Sequence, residues 1–180
     1  WSFVMRNILP LFFAIYTCLI PLQSAQANMD VYMPKNAGKA DLVGQGLYSF
    51  MFWDLYIARL YAPNGKLHQN KAFALELEYL RNLSGRKIAD KSIEEIRKQG
   101  FNDEIRLADW HNQIQAMFPD VGNGDILTGV SSPSRETIFY QNGTEIGRVK
   151  DPEFTKRFFD IWLGEKTSAP ELRMSLLGAS

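Results

Sequence analysis

The first half of the chain alternates apolar and polar positions in the manner of β-strands. Residues 42–50 and 51–62 form two such segments, and the turn-forming residues 63–65 follow them. Residues 72–81 show the most regular alternation, in which Phe73, Leu75, Leu77 and Tyr79 oppose Glu76 and Glu78. A period of two with one polar face predicts an antiparallel sheet that has one covered and one solvated side.

Two glycines, Gly44 and Gly46, lie inside the first of these segments. Glycine weakens a strand interior, and its usual role there is to permit a bend or the close approach of another backbone. We therefore expect either a kink in this strand or an element packed directly against it.

The middle of the chain changes to the helical period. Residues 86–99 place apolar side chains every three or four positions, between Ser84 on one side and Gly100 on the other. A second helix is predicted to begin with Asn102 as its N-cap and to end at Pro119.

Strands return in the last third of the chain, and two further helices follow them. Strands are predicted at residues 125–130 and 136–149, and the second turns back on itself at Asn142-Gly143, because these residues tolerate positive φ. One helix is predicted from Asp151-Pro152 to Gly164, and another behind a capping box of Ser168 and Glu171. The fold class is therefore predicted to be α+β, an antiparallel β-sheet covered on one face by a layer of helices.

The N-terminal residues 1–27 have the pattern of a secretory signal peptide. A single positive charge near Met5 precedes the 15-residue apolar run 8–22, and the small residues of Ala25-Gln26-Ala27 suit cleavage after Ala27. Residues 1–4 are predicted to lie upstream of the true start at Met5. We therefore expect one domain over residues 28–180, located in the periplasm or secreted, with no transmembrane span after cleavage.

Composition and charge narrow the classes of function. The chain has 20 Lys+Arg and 20 Asp+Glu, so it lacks the net positive field that nucleic-acid binding uses. Its one cysteine, Cys18, lies in the predicted signal, and two histidines are too few for the usual zinc sites. No nucleophile, dinucleotide or phosphate-loop motif occurs, so we expect no metal and no cofactor.

Two arginines stand out among the aromatic residues of the predicted strands. Arg59 shares its strand face with Trp53 and Tyr61, and Arg81 ends the next predicted strand. A guanidinium inside a sheet needs a partner, because an unpaired buried charge costs several kcal/mol. The partner is either an internal carboxylate, for which we consider Glu95 and Asp90, or the acid group of an apolar ligand.

The same stretches make the chain similar to a known family. It resembles the chalcone isomerase-like family in its exported bacterial branch, over essentially the whole chain after residue 27. The stretches that carry the resemblance are LVGQG at 42–46, FWDLYIARLY at 52–61, LEYLRNLSG at 77–85, NG at 142–143, IG at 146–147, DPEF at 151–154 and IWLG at 161–164. The resemblance implies an open-faced β-sandwich, in which a ligand cleft lies between an antiparallel sheet and a helical layer.

The family contains isomerases, which close a chalcone to a flavanone, and relatives that lack this activity, some of which bind fatty acids. The resemblance places Tyr48 where the isomerases have an Arg, Ile88 where they have a Tyr and Glu95 where they have an Asn. It also places Tyr56 and Leu172 at the two threonine positions. Because the Arg stabilises the enolate charge that ring closure creates, its absence predicts that chalcone cyclisation is not catalysed.

These observations predict a protein without catalytic residues that binds an amphipathic small molecule, such as a fatty acid, in the cleft between sheet and helices. The expected ligand-binding residues are Arg59, Arg81, Tyr48, Tyr56 and Tyr79. One alternative is an isomerase or lyase of altered specificity, in which Tyr48 and Tyr56 donate protons to another enone. Another is an accessory protein whose cleft is filled by its own side chains.

Overall fold

A single six-stranded antiparallel sheet forms one layer of the protein. The computed structural model describes residues 29–32, 39–68 and 70–178. Each strand pairs with its neighbours in the sequence, so the order of the strands across the sheet is their order along the chain. The strands are β1 (Ala40–Phe50), β2 (Trp53–Pro63), β3 (Phe73–Tyr79), β4 (Ile126–Ser131), β5 (Thr137–Gln141) and β6 (Thr144–Val149).

Four helices form a second layer on one face of this sheet. α1 (Gly85–Lys98) and α2 (Glu104–Met117) connect β3 to β4, while α3 (Pro152–Leu163) and α4 (Pro170–Leu176) follow β6. Apolar side chains from all four helices pack with those of the inner sheet face in one core. This architecture confirms the predicted α+β class and the layer arrangement.

Two helices begin later than the sequence pattern indicates. Asp103, and not Asn102, is the N-cap of α2, because its carboxylate accepts a hydrogen bond from the backbone N–H of Arg106 at 3.1 Å. The predicted capping box before α4 is also wrong. Ser168 donates its hydroxyl to Glu95 Oε2 at 2.6 Å, and the N-cap of α4 is Ala169, which makes no side-chain cap.

A β-bulge in β2 decides which of its side chains face the helices. Tyr48 pairs with Tyr56 and Ser49 pairs with Asp54, so Leu55 is an additional residue between the two pairs. After the bulge, Ala58 and Leu60 pack into the core under the helices. Because strand side chains alternate, Arg59 lies on the opposite face of the sheet.

The outer face of the sheet is partly covered. A short 3₁₀ turn, Met29–Tyr32, packs on it, and Met29 lies in a small apolar cluster with Tyr61 and Val130. Glu76 of β3 lies on this face and is only 3% exposed. The prediction of a solvated second face is therefore wrong at Glu76, because residues before β1 cover this part of the sheet.

The two glycines of β1 allow α4 to pack closely against this strand, as their position inside the strand predicts. A Cβ atom on Gly44 would lie 2.1 Å from the backbone oxygen of Ser175, and one on Gly46 would lie 2.7 Å from the side chain of Leu172. Any larger residue at position 44 would move the backbone of α4 away from β1. The glycines therefore hold α4 close to the edge of the sheet.

The predicted signal peptide and its cleavage site lie outside the described residues. Within the described ranges, no helix has the length and apolarity to cross a membrane.

Candidate functional site

A cavity of about 460 Å³ separates the inner face of the sheet from the helices. This volume falls within the range of about 300–1,000 Å³ that is typical of small-molecule sites. Most of the wall is apolar, and its members come from β1 to β5, α1, α3 and the segments that join them. The apolar lining residues are Phe50, Leu55, Leu75, Leu77, Leu83, Ile88, Phe118, Leu127, Phe139, Phe158, Ile161, Trp162 and Ala169.

Three tyrosines form a row across the strands β1, β2 and β3 in the wall of this cavity. Tyr48 pairs with Tyr56 and Tyr56 pairs with Tyr79 in the sheet register. The ring centroids of Tyr48 and Tyr56 lie 5.0 Å apart, and those of Tyr56 and Tyr79 lie 5.8 Å apart. The bulge at Leu55 creates this row, since without it Tyr56 would not oppose Tyr48.

The hydroxyl groups of Tyr56 and Tyr79 stay protonated at neutral pH. Burial raises the pKa of both Tyr56 and Tyr79 well above the ordinary tyrosine value. The Tyr56 hydroxyl accepts a hydrogen bond from Trp162 Nε1 at 3.0 Å, which opposes the shift without cancelling it. Among the described residues, the Tyr79 hydroxyl has no hydrogen-bond partner, although the residue is only 3% exposed. Its O–H is therefore available to a ligand.

One face of α1 supplies the charged part of the cavity wall. Lys87, Lys91 and Glu95 follow each other at a spacing of four, so they lie in one row along the helix. Glu95 accepts hydrogen bonds from Ser168 at 2.6 Å and from Lys98 at 3.2 Å, and it pairs with Lys91 at 2.9 Å. Burial opposes ionisation of Glu95, but these partners outweigh it and lower the pKa of its carboxyl group.

The two predicted arginines do not line the cavity. Arg59 lies on the outer sheet face, where its guanidinium pairs with Glu76 at 3.0 Å and with Glu78 at 2.8 Å. The expected partners of Arg59, Glu95 and Asp90, are thus wrong, since both belong to α1 on the other side of the sheet. The reason is the bulge at Leu55, which interrupts the regular alternation that the sequence analysis assumes from Trp53 to Tyr61.

Arg81 is an exposed residue and is not enclosed by the sheet. Its guanidinium carbon lies 3.9 Å from the ring centroid of Trp53, so it stacks on an aromatic face. Asp90, the other carboxylate considered as a partner, accepts a hydrogen bond from His111 Nε2 at 2.6 Å.

The resemblance names five positions at which the isomerases have catalytic groups. Four of these positions line the cavity. Tyr48, Tyr56, Ile88 and Glu95 all line it. Leu172 does not, because it lies in α4 and packs into the core. Four of the five positions that the resemblance singles out therefore belong to one cavity, and none of these four residues is a cation.

Lys87, Lys91, Ser92 and Ser168 are cavity residues that the sequence analysis did not identify. A signal for the first two exists, because positions 87, 91 and 95 repeat at a spacing of four beside the apolar face of α1. No such signal exists for Ser168, whose contact with Glu95 joins residues 73 positions apart.

Comparison with known proteins agrees with this fold. Residues 23–178 match the family described as chalcone isomerase-like. An uncharacterized protein of Haemophilus influenzae is 28% identical over 137 residues, which are 76% of this chain and 67% of that protein. The crystal structure of a fatty-acid binding protein of Arabidopsis thaliana has a TM-score of 0.61 at 15% identity, and the match covers 79% of this chain and 90% of that chain. Because the family match extends over most of its length, the chain belongs to the chalcone isomerase-like family.

Proposed function

We propose that this protein binds a fatty acid or a similar amphipathic carboxylic acid in the cavity between sheet and helices, and that it does not catalyse a reaction on it. The observation that carries the proposal is an apolar cavity with a protonated Tyr79 hydroxyl in its wall, which has no hydrogen-bond partner among the described residues. A fatty acid has the matching chemistry, an apolar chain with one hydrogen-bond acceptor group at its end.

The apolar part of the wall supports an acyl chain as the occupant. Leucine, isoleucine and phenylalanine side chains from both layers form most of it, and burying an alkyl chain among them stabilises the complex by about 0.8 kcal/mol per CH₂ group. The fatty-acid binding protein of Arabidopsis thaliana has the same fold, which supports a ligand of this kind.

The polar part of the wall supports a carboxylate as the head group. We propose that the Tyr79 hydroxyl donates a hydrogen bond to it, next to Tyr56 and Tyr48. Lys87 adds positive potential to the same wall, since it pairs with no carboxylate in the described part of the chain. Glu95 does not repel the ligand strongly, because Lys91 and Lys98 pair with its carboxylate.

The tyrosines support binding better than they support catalysis. A general acid works best when its pKa lies near the operating pH. Burial instead raises the pKa of Tyr56 and Tyr79 further above neutral pH. Chalcone cyclisation also needs a fixed cation for the enolate oxygen, and the resemblance places Tyr48 at the position of that cation.

We also propose that the protein is exported and that its signal peptide is cleaved after Ala27.

The decisive experiment measures fatty-acid affinity of the wild type and of the Tyr79→Phe variant by calorimetry. A hydrogen bond to a charged group is worth roughly 1.5–3 kcal/mol, so the affinity should fall about ten- to a hundred-fold. The stability should not decrease, because the described structure gives this hydroxyl no protein partner to lose.

Tyr140→Phe is the matched control, since Tyr140 packs with Tyr32 on the outer face and should leave the affinity unchanged. Equal affinities of all three proteins would contradict the proposed head-group site. If the wild type binds no fatty acid and turns over a chalcone in a manner that Tyr48→Phe abolishes, the protein is an enzyme and the proposal is wrong.

A further inference from the structure

The turn between β1 and β2 exposes an uninterrupted run of large apolar side chains. The exposed fractions are 54% for Phe50, 79% for Met51, 96% for Phe52 and 53% for Trp53. Other exposed large apolar residues in the described part of the chain, such as Ile105, stand alone in the sequence. A contiguous run of this kind marks a surface that meets another apolar phase.

Local folding preference does not account for these residues. Phe50 pairs with Trp53, so Met51 and Phe52 form a two-residue hairpin turn. Such turns favour Asn, Asp and Gly, because one or both positions require positive φ. Met51 has a φ of 56°, in the left-handed region that a long side chain adopts only at a cost.

One cation contacts the exposed run, and another lines the cavity that the run borders. The Arg81 guanidinium stacks on Trp53 at 3.9 Å, and Lys87 lines the same cavity as Phe50. Within the described ranges, neither cation pairs with a carboxylate. The acid next to Trp53 in the sequence, Asp54, accepts a hydrogen bond from the Ser49 hydroxyl at 2.6 Å. Tryptophan and phenylalanine beside basic residues are the combination that binds the interface of an anionic bilayer.

The run is also continuous with the cavity. Phe50 lines the cavity and is about half exposed, so it lies at the rim, and Tyr48 and Leu55 extend the wall inward from it. A surface that contacts the tip of this hairpin would therefore lie beside the opening through which an amphipathic ligand enters.

We propose that residues 50–53 dock the protein on an anionic phospholipid bilayer, with Met51 and Phe52 inserted between the lipids and Trp53 at the interface. A protein partner fits the tip less well, because a stable protein interface buries about 800 Å² on each side and this tip is a narrow two-residue turn. The docking goes beyond ligand binding and stands independently of which ligand the cavity holds.

The test records the fluorescence of Trp53 in the full chain with vesicles of phosphatidylcholine and phosphatidylglycerol. The Trp53→Phe variant gives the signal of the other tryptophans, which is subtracted. If the tip inserts, the emission of Trp53 shifts to shorter wavelength and brominated acyl chains quench it. This readout is preferred to sedimentation, because the apolar residues 8–22 could bind vesicles by themselves.

Variants then separate the contributions. Phe52→Ser should weaken vesicle binding of the tip about tenfold or more, since burying a phenylalanine is worth roughly 1.5–3 kcal/mol. Arg81→Gln should weaken it about fivefold on anionic vesicles and leave it unchanged on phosphatidylcholine alone. Ile105→Ser is the matched control, because Ile105 is 85% exposed on α2, and it should have no effect.

Three results would overturn the proposal. The first is that the emission of Trp53 does not change from its spectrum in buffer although the chain sediments with the vesicles. This result would assign the binding to residues 8–22. The second is equal binding of Phe52→Ser and Ile105→Ser. The third is a shift of the Trp53 emission to shorter wavelength when the protein concentration is raised in the absence of lipid. This result would identify a second copy of the chain as the occupant. Fatty-acid affinity of Phe52→Ser should stay at the wild-type level, which keeps this test separate from that of the cavity.

Discussion

The sheet contains two hairpins with two-residue turns that differ in the residues at those turns. In β5–β6 the turn is Asn142-Gly143, and in β1–β2 it is Met51-Phe52. Both turns have two residues, and both second strands carry a bulge at their third residue, Ile146 in one case and Leu55 in the other. Both turns place their first residue at positive φ, whereas only the β5–β6 turn also has its second residue there. The first turn position therefore has the same backbone requirement in both hairpins, and there one hairpin has Asn and the other has Met.

The β5–β6 turn satisfies this requirement with residues suited to it. Asn142 and Gly143 have φ values of 47° and 87°, both in the region that these two residue types tolerate. The Asn142 side chain also accepts a hydrogen bond from the Ile126 backbone N–H and donates one to Asp125, each at 2.9 Å. It thereby ties the hairpin to the start of β4.

The β1–β2 turn has neither Asn nor Gly at its two positions. Met51 adopts a φ of 56° without a glycine or an asparagine, and its neighbour Phe52 is almost fully exposed. Residues that cost stability where a better local choice exists are typical of functional surfaces. The comparison indicates that one hairpin tip contributes to folding, whereas the other contributes to a contact outside the molecule.

The largest expected effect comes from damage to the β5–β6 turn. Asn142→Val removes two side-chain hydrogen bonds and places a β-branched residue at positive φ, so the free energy of unfolding should fall by about 3 kcal/mol. Urea denaturation measures this change. Asn142→Gly keeps the backbone freedom and loses only the side-chain bonds, so it should lose about half as much. Equal losses in the two variants would show that the positive φ of this turn carries no cost.

The difference between the two hairpins also limits what could be predicted from the sequence. The β5–β6 hairpin was predicted because Asn-Gly between apolar strands is a local signal, and the structure confirms it. At β1–β2 the sequence shows two strand segments, but no turn residue marks the junction at Met51-Phe52. The α+β class and the family resemblance are confirmed, since they depend on the order of many segments.

The site was less accessible to sequence analysis than the fold. The regular alternation of β3 places Tyr79 on the cavity face with Leu75 and Leu77, whereas the pairing of Tyr48 with Tyr56 depends on the bulge at Leu55. Arg59 lies on the outer face because of the bulge at Leu55, and the segment Met29–Tyr32 helps to cover its partner Glu76 there. Arg81 lies outside the cavity because it follows the end of β3 and is exposed. Bulges and covering segments result from tertiary packing, which a period-two pattern does not show.

A smaller effect of opposite sign is expected at the β1–β2 turn. Replacing Met51 by Asn and Phe52 by Gly in one double variant gives this hairpin the turn residues of the other. Relief of the left-handed methionine should raise the free energy of unfolding by about 1 kcal/mol, while the docking of Trp53 on anionic vesicles is lost. Urea denaturation and Trp53 fluorescence measure the two outcomes. A double variant less stable than the wild type would show that Met51 and Phe52 support the fold, and the contrast between the hairpins would disappear.

The smallest expected effect is a difference in how the two turns respond to acid. The hydrogen bonds from Asn142 and from the Gly122 backbone N–H hold the pKa of Asp125 below its ordinary value. A carboxyl group with a lowered pKa in the folded state contributes stability that is fully present above its unfolded pKa of about 3.9 and is lost as the pH falls through the folded value. The stability gap between the wild type and Asn142→Gly should therefore narrow when urea denaturation is repeated below about pH 4. The gap between the wild type and the Met51→Asn/Phe52→Gly variant should stay constant over the same range, because neither native side chain can bind a carboxylate by a hydrogen bond. If both gaps narrow equally, the acid response is a property of the whole fold, and Asp125 does not distinguish the β5–β6 hairpin from its counterpart.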